Sequence, residues 1–295
     1  MTSASTSNAE QSESWTVGRL LEWTTGWLRG RGSDSPRLEA EVLLAWVLDC
    51  QRIELYTRFG EVVAEEPRGT FRELVKRRGQ GEPVAYLTGS KEFFSIPFRV
   101  TPDVLVPRPE TELLVVRGID LCRDLAAPRI ADVGTGSGAI AVALAKHLPH
   151  ATVTAIDISP GAVAVAQGNV DANHVADRVR VVEGDLLSPL PPGEVFDLVV
   201  SNPPYIREEE FAGLPRDVRD FEPRGALIAG PRGVEPLERL VAMTTERLVG
   251  GGWLLAEIGP PAASEAVLDA AEHLERQPTL PDDAGIPRVV QARRR

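Results

Sequence analysis

Cysteine is nearly missing from this chain: Cys50 and Cys122 are the only two among 295 residues. They stand far apart, and the four histidines show no ligand spacing around either, so neither a disulfide framework nor a metal centre is expected. Lysine is equally scarce, with Lys76, Lys91 and Lys146 alone, and the formal net charge is −11. That balance argues against tight, nonspecific duplex binding, which rests on many cationic contacts to phosphates, although a negative protein can still carry a basic cleft. No apolar run approaches the roughly 20 residues that would span a bilayer. The opening "MTSASTSNAEQSES" has neither the basic nor the apolar region of a signal peptide, so the expected location is the cytoplasm and no membrane partner is expected.

What is present is ordinary for a globular protein: 43% apolar and 25% charged residues, enough for a sizeable core and about two domains. Residues 1–14 have nothing to bury and read as a disordered leader. Apolar residues then recur at helical spacing from Val17 to Leu28 and from Pro36 to Leu48, the second run opening on a Ser/Asp start with Pro36 in its first turn. A further helix is expected over Pro67 to Arg78. Residues 15–90 are therefore expected to form a small helical domain, and "FFSIPFRVTPDVLVP" a β-hairpin linking it, over 91–106, to a second domain at 107–295.

The second domain alternates. "RIADVG", "ATVTAID", "RVRVVEGD" and "FDLVVSN" read as strands, and "AIAVALAKHL" and "PGAVAVAQGNVDAN" as intervening helices. Apolar strands interleaved with helices of this length predict an α/β fold with a doubly wound, Rossmann-like parallel sheet covered on both faces. After an irregular stretch at 207–234, a helix near Pro236 to Leu248, the strand "GGWLLAEIG" and a helix near 263–274 continue the pattern, and the tail could add one edge strand.

Four strand ends carry chemistry. In "ADVGTGSGAIAVALA", Gly134, Thr135, Gly136, Ser137 and Gly138 lie between a strand and the start of a helix, where glycines admit a ligand to the backbone and to the free N–H groups. The spacing also fits G-x-G-x-x-A, so it does not separate NAD from other adenosine cofactors, and a tight turn without ligand is the plain alternative. Asp157 ends the next strand, where it could accept bonds from ribose hydroxyls or cap the following helix. Asp185 ends the third and could meet an adenine amino group, with Leu186 over the ring. Asn202 ends the fourth and runs into Pro203, Pro204 and Tyr205. Two prolines stiffen this exit and aim the Asn202 amide. Its oxygen and the Pro203 carbonyl could accept the two N–H bonds of a planar nitrogen while Tyr205 stacks on the group. Such a nitrogen has its lone pair delocalised and attacks a methyl group poorly unless held; a Pro-rich loop exit is the plain alternative.

"DVGTGSGAIA", "AIDIS" and "VVSNPPYI" resemble a class I S-adenosylmethionine methyltransferase of the Asn-Pro-Pro-Tyr group, and residues 82–115, through "PRPETE", resemble the release factor glutamine methyltransferases. With the helical start "SPRLEAEVLLAWVL" the resemblance covers about residues 15–292. It implies S-adenosylmethionine as cofactor, with Gly134 to Gly138 on its methionine part, Asp157 on the ribose, Asp185 and Leu186 on the adenine, and Asn202 also beside it. It implies that Asn202, Pro203, Pro204 and Tyr205 grip and activate the glutamine of the Gly-Gly-Gln loop of bacterial class-I release factors, a step of translation termination, with the helical domain as a second wall of the groove. Pro107, Pro109, Glu110 and Glu112 are expected as a stiff acidic lip, Pro109 and Glu110 meeting the substrate; the plain alternative is a helix start. The chain departs from the family at Ala262 and around Pro287. The alternatives are a ribosomal-protein glutamine methyltransferase, an adenine-N6 methyltransferase and a non-enzymatic nucleotide-binding module. No direct nucleic-acid contact and a monomer are expected.

Overall fold

The computed structural model describes residues 14–295, so the expected leader lies, apart from Ser14, outside the described residues. The chain divides into two units, Met1–Thr88 and Gly89–Arg295. The first is helical: α1 (Val17–Arg29), α2 (Pro36–Val47), α3 (Glu54–Thr57), α4 (Glu65–Gly79) and α5 (Val84–Thr88). Thr16 caps α1 by accepting a bond from the Arg19 N–H, and Val17, Leu20, Leu21, Thr24 and Leu28 bury one stripe of it. Acidic residues open α4 and basic residues close it, both favourable to the helix dipole. Leu21, Leu43, Leu44, Leu55 and Phe71 are fully buried in its core, each such side chain contributing roughly 1.5–3 kcal/mol. The half-buried Arg78 guanidinium grips both oxygens of Glu39, 2.9 Å each, and ties α4 to α2.

The second unit opens on the hairpin β1 (Ser90–Phe93) and β2 (Ile96–Arg99). It continues through α6 (Glu112–Cys122), β3 (Arg129–Val133), α7 (Ala139–His147), β4 (Thr152–Asp157), α8 (Pro160–Ala172), β5 (Val179–Glu183) and β6 (Phe196–Ser201). Then come β7 (Ile206–Arg207), α9 (Arg216–Phe221), β8 (Ile228–Gly230), α10 (Glu235–Arg247), β9 (Leu248–Glu257), α11 (Pro261–Asp269), β10 (Leu274–Pro281) and β11 (Pro287–Arg294). Seven strands form one sheet in the order β10-β11-β9-β6-β3-β4-β5. From β9 to β5 neighbouring strands run parallel, and β11 joins β9 antiparallel.

Successive strand residues point to opposite faces, and each face finds its own helices. Ile130, Leu198 and Val200 pack with Leu114 of α6, Leu144 of α7 and Val170 of α8; Ala131, Val133 and Val199 pack with Leu240 of α10 and Leu268 of α11. The hairpin is part of this unit, because Phe93, Ile96 and Phe98 are buried in the first of these cores. Its turn residues, Phe94 and Ser95, both have positive φ (53° and 58°), the geometry of a two-residue turn that matches strand twist.

Two expectations at the C-terminal edge are corrected. The helix expected near 263–274 ends at Asp269, and Leu274–Pro281 is a strand. The tail strand lies inside the sheet, between β9 and β10, and β10 is the edge. The reason is the turn between them: Asp282 Oδ1 accepts the Ala284 and Ile286 N–H groups at 2.9 Å each, Gly285 takes φ 78°, and the chain doubles back. Within the stretch read as irregular, β7 and β8 pair in a small sheet of their own, with α9 between them. No helix among the described residues is long and apolar enough to cross a membrane.

Candidate active site

The chain leaves β3 towards β4 and β5 on one side of the sheet and returns to β6 on the other, so the direction of winding reverses between β3 and β6. Loops diverge at such a point and open a crevice at the carboxyl ends of the strands. Val133 and Ser201 are paired across it, and the Ser201 hydroxyl donates to the Val133 carbonyl at 2.7 Å. The two residues that follow, Gly134 and Asn202, are therefore neighbours by register. A cavity of about 480 Å³ lies there, lined by Gly134, Thr135, Gly136, Ser137, Asp157, Asp185, Leu186, Asn202, Pro203 and Pro204. That volume is within the range of about 300–1,000 Å³ usual for small-molecule sites.

Three carboxylates shape the glycine loop and its surroundings. Asp132 is fully buried, and its Oδ2 accepts from the Thr135 hydroxyl (2.6 Å) and the Ala141 N–H (3.1 Å), fastening the loop to the first turn of α7. Asp157 bridges two turns: Oδ2 accepts the Gly136 N–H at 2.8 Å and Oδ1 the Ser159 N–H at 2.9 Å. Each oxygen keeps a further lone pair for a ligand hydroxyl. Asp185 pairs with Arg239 of α10, which also lines the cavity.

Asn202 begins a chain of hydrogen bonds. Its Nδ2 donates to Thr111 Oγ1 at 3.1 Å, the Thr111 hydroxyl donates to Glu257 Oε2 at 2.7 Å, and the Tyr205 hydroxyl donates to Glu257 Oε1 at 3.3 Å. Thr111 and Glu257 are buried. Burial raises the Glu257 pKa above the ordinary carboxylate range, against the bonds from Thr111 and Tyr205. Burial and the adjacent Glu257 push the Tyr205 phenol up to about 12, so near neutral pH it is a donor and not a base. A second cavity, of about 190 Å³, is lined by Tyr205, Glu257, Leu214 and Val218, and Asn202 and Pro203 line both cavities.

The model of the PrmC N-terminal domain family matches residues 19–89, and that of the methyltransferase small domain family matches residues 111–213. A release factor glutamine methyltransferase of Rhodopirellula baltica is 54% identical over 250 residues, covering 83% of this chain and 84% of that protein. This chain belongs to the release factor glutamine methyltransferase family. A second member, from Moorella thermoacetica, is 44% identical, with 91% of this chain and 95% of that protein covered. The fold recurs in more distant methyltransferases. The hMettl16 catalytic domain, solved in complex with the MAT2A 3'UTR hairpin 1, superposes with a TM-score of 0.55 at 17% identity, covering 81% of this chain and 84% of that one. A Pyrococcus furiosus methyltransferase gives 0.51 at 17% identity, covering 74% and 96%.

The residues that the sequence pointed to are mostly gathered around the first cavity of this methyltransferase, with five exceptions. Gly138 stands behind the loop as the left-handed N-cap of α7 (φ 79°), where a Cβ would lie 3.4 Å from Ala166 of α8; it sets helix packing. Tyr205 lines only the second cavity. Pro109 and Glu110 line neither, and the Glu112 carboxylate accepts the Phe94 N–H at 2.9 Å, so it braces the hairpin turn. The acidic lip is thus mainly a helix start, of which Pro107, Arg108 and Thr111 reach the first cavity.

Four residues with a place at the site were not singled out. Glu257 ends β9, the fifth parallel strand end on the same edge, and its signal was the acid in "LLAEIG". Ile158, 66% exposed, follows Asp157 and lines the first cavity. The buried Asn169 of α8 donates to the Ser137 carbonyl at 2.8 Å, holding the glycine loop from behind. Thr111, hidden inside "PRPETE", had no signal beyond its motif.

Asp132 gives this methyltransferase a pH dependence of stability. Burial raises its carboxyl from the ordinary 3.8 to about 7, chiefly against the bonds from Thr135 and Ala141. A carboxyl with a higher pKa folded than unfolded stabilises the folded state fully below the unfolded value, and that contribution is lost as pH rises through the folded one. Between about pH 4 and 7 the wild type is expected to lose stability through this group, and Asp132→Asn to flatten that slope. Chemical denaturation across the window checks it; parallel curves for the two proteins would show that Asp132 carries no such penalty.

Proposed function

We infer that this enzyme transfers a methyl group from S-adenosylmethionine to the N5 side-chain amide of a glutamine, the one in the Gly-Gly-Gln loop of bacterial class-I release factors. The observation that carries the reading is the wall shared by the two cavities. Asn202 and Pro203 face the glycine loop on one side and Tyr205 and Glu257 on the other, which suits a donor and an acceptor meeting at one amide.

The residues of the first cavity fit the cofactor. A Cβ built on Gly136 meets nothing within 4 Å, so the loop leaves open room against its backbone, and the start of α7, with Ala139 and Ile140, faces the cavity. Such a helix start favours a carboxylate. Asp157 offers lone pairs to a ribose diol. Ile158 and Leu186 offer apolar surface to an adenine ring, and Asp185, shared with Arg239, an acceptor to its amino group. When bound, S-adenosylmethionine supplies a methyl carbon made electrophilic by its sulfonium.

On the acceptor side, Asn202 Oδ1 and the Pro203 carbonyl accept the two amide N–H bonds, and Tyr205 lies against the flat amide. The nitrogen lone pair is thereby aimed at the methyl carbon. With the cofactor held there, the nitrogen would take the methyl carbon as its bond to sulfur breaks, and the surplus amide proton would go to water. Tyr205 keeps its proton, and among the described residues no lysine or histidine lines either cavity to act as a base. Catalysis is then mainly orientation. The same reading makes the enzyme cytoplasmic.

Two measurements test it. Calorimetry is expected to show binding of S-adenosylmethionine and none of NAD; the reverse would overturn the cofactor assignment. Labelled methyl is expected to pass to a purified release factor and not to adenine in single-stranded DNA. Transfer to the adenine alone would replace this function with that of a nucleic-acid methyltransferase.

A further inference from the structure

We propose that Thr111 and Glu257 are positioning residues that set which end of the Asn202 amide meets the substrate; this rests on the glutamine reading above. An asparagine amide has nearly the same shape either way round, but one end donates and the other accepts. A substrate amide nitrogen that carries two N–H groups needs the oxygen. Backbone stiffness at Pro203 and Pro204 aims the side chain without choosing its end.

The choice is made further back. Ionised, Glu257 can only accept, and it is met from two sides by hydroxyl donors that favour that form against its burial, Thr111 at 2.7 Å and Tyr205 at 3.3 Å. With its proton committed to Glu257, the Thr111 oxygen can only accept, so it takes the Asn202 Nδ2 donor at 3.1 Å. Oδ1 is then the end left for the substrate. Glu257 also fixes the Tyr205 hydroxyl, so one buried carboxylate at the end of β9 orients both the polar and the aromatic halves of the acceptor site. This accounts for an ionisable side chain, only 3% exposed, that no lysine or arginine neutralises at ion-pair distance among the described residues.

Thr111→Val and Thr111→Ser separate this role from packing. Valine keeps the shape and loses the hydroxyl; serine keeps the hydroxyl and loses the methyl. In single-turnover transfer to a release factor at saturating cofactor, Thr111→Val is expected to be about tenfold slower, the scale of one lost orienting hydrogen bond, and Thr111→Ser within about threefold of wild type. Cofactor affinity, which rests on the glycine loop, Asp157 and Asp185, should change less than the transfer rate in Thr111→Val. In an Asn202→Ala background, Thr111→Val should cost almost nothing more, because Thr111 acts through Asn202. The wild type is assayed first: if it fails to methylate the release factor, the glutamine reading fails. If it succeeds and Thr111→Ser is the slower variant, or if the Thr111→Val loss persists in the double variant, Thr111 serves packing and the relay is refuted.

Discussion

Asn202→Ala is expected to slow methyl transfer to a release factor by on the order of 10²–10³, the usual cost of removing one orienting or electrostatic group from a reacting centre. The fold should survive, since the side chain is only half-buried and its one bond runs to Thr111, which keeps Glu257 as a partner. Most cofactor affinity should survive too, because the glycine loop is held by Asp132, Asp157 and Asn169 and not by Asn202. Single-turnover kinetics at saturating cofactor isolates the chemical step. A variant that transfers methyl at the wild-type rate would remove Asn202 from the mechanism.

The second large effect is expected at Asp157. Asp157→Ala should weaken S-adenosylmethionine binding by about 1.5–3 kcal/mol, the range for losing hydrogen bonds to a charged acceptor. Its carboxylate also receives the Gly136 and Ser159 N–H groups, so the variant loses a brace between the glycine loop and the start of α8. Calorimetry therefore has to be paired with an unfolding curve. Unchanged affinity in a folded variant would leave Asp157 as a turn brace alone, the role in which the helix-cap alternative cast it.

Much of this was written in the sequence, and the limits have physical reasons. Strands β3, β4 and β6 were legible because each is an apolar run buried on both faces, and the edge strand β5 through its three valines although Arg180 and Glu183 are exposed; the strand ends stood out because Gly134, Asp157, Asp185 and Asn202 follow those runs with a residue of another chemistry. Glu257 breaks β9 in the same way and was passed over, since its partners Thr111 and Tyr205 lie 146 and 52 residues away and nothing local links them. β10 carried no strand signal, and its first residue, Leu274, fell within the expected helix, because its two prolines and irregular register hide the alternation that marks a strand. Glu112 looked like part of a lip because its acceptor role depends on Phe94, a contact made only once the hairpin folds back.

The central claim is that the acceptor is a glutamine side-chain amide of a release factor, and it is tested most directly by intact-mass measurement and peptide mapping of purified release factors after incubation with the enzyme and S-adenosylmethionine. The account predicts a gain of one methyl group, confined to the peptide that carries the Gly-Gly-Gln loop and placed on its glutamine by fragmentation. A methyl group on any other residue, or none on a release factor while another protein or a nucleic acid is methylated in the same mixture, would contradict it.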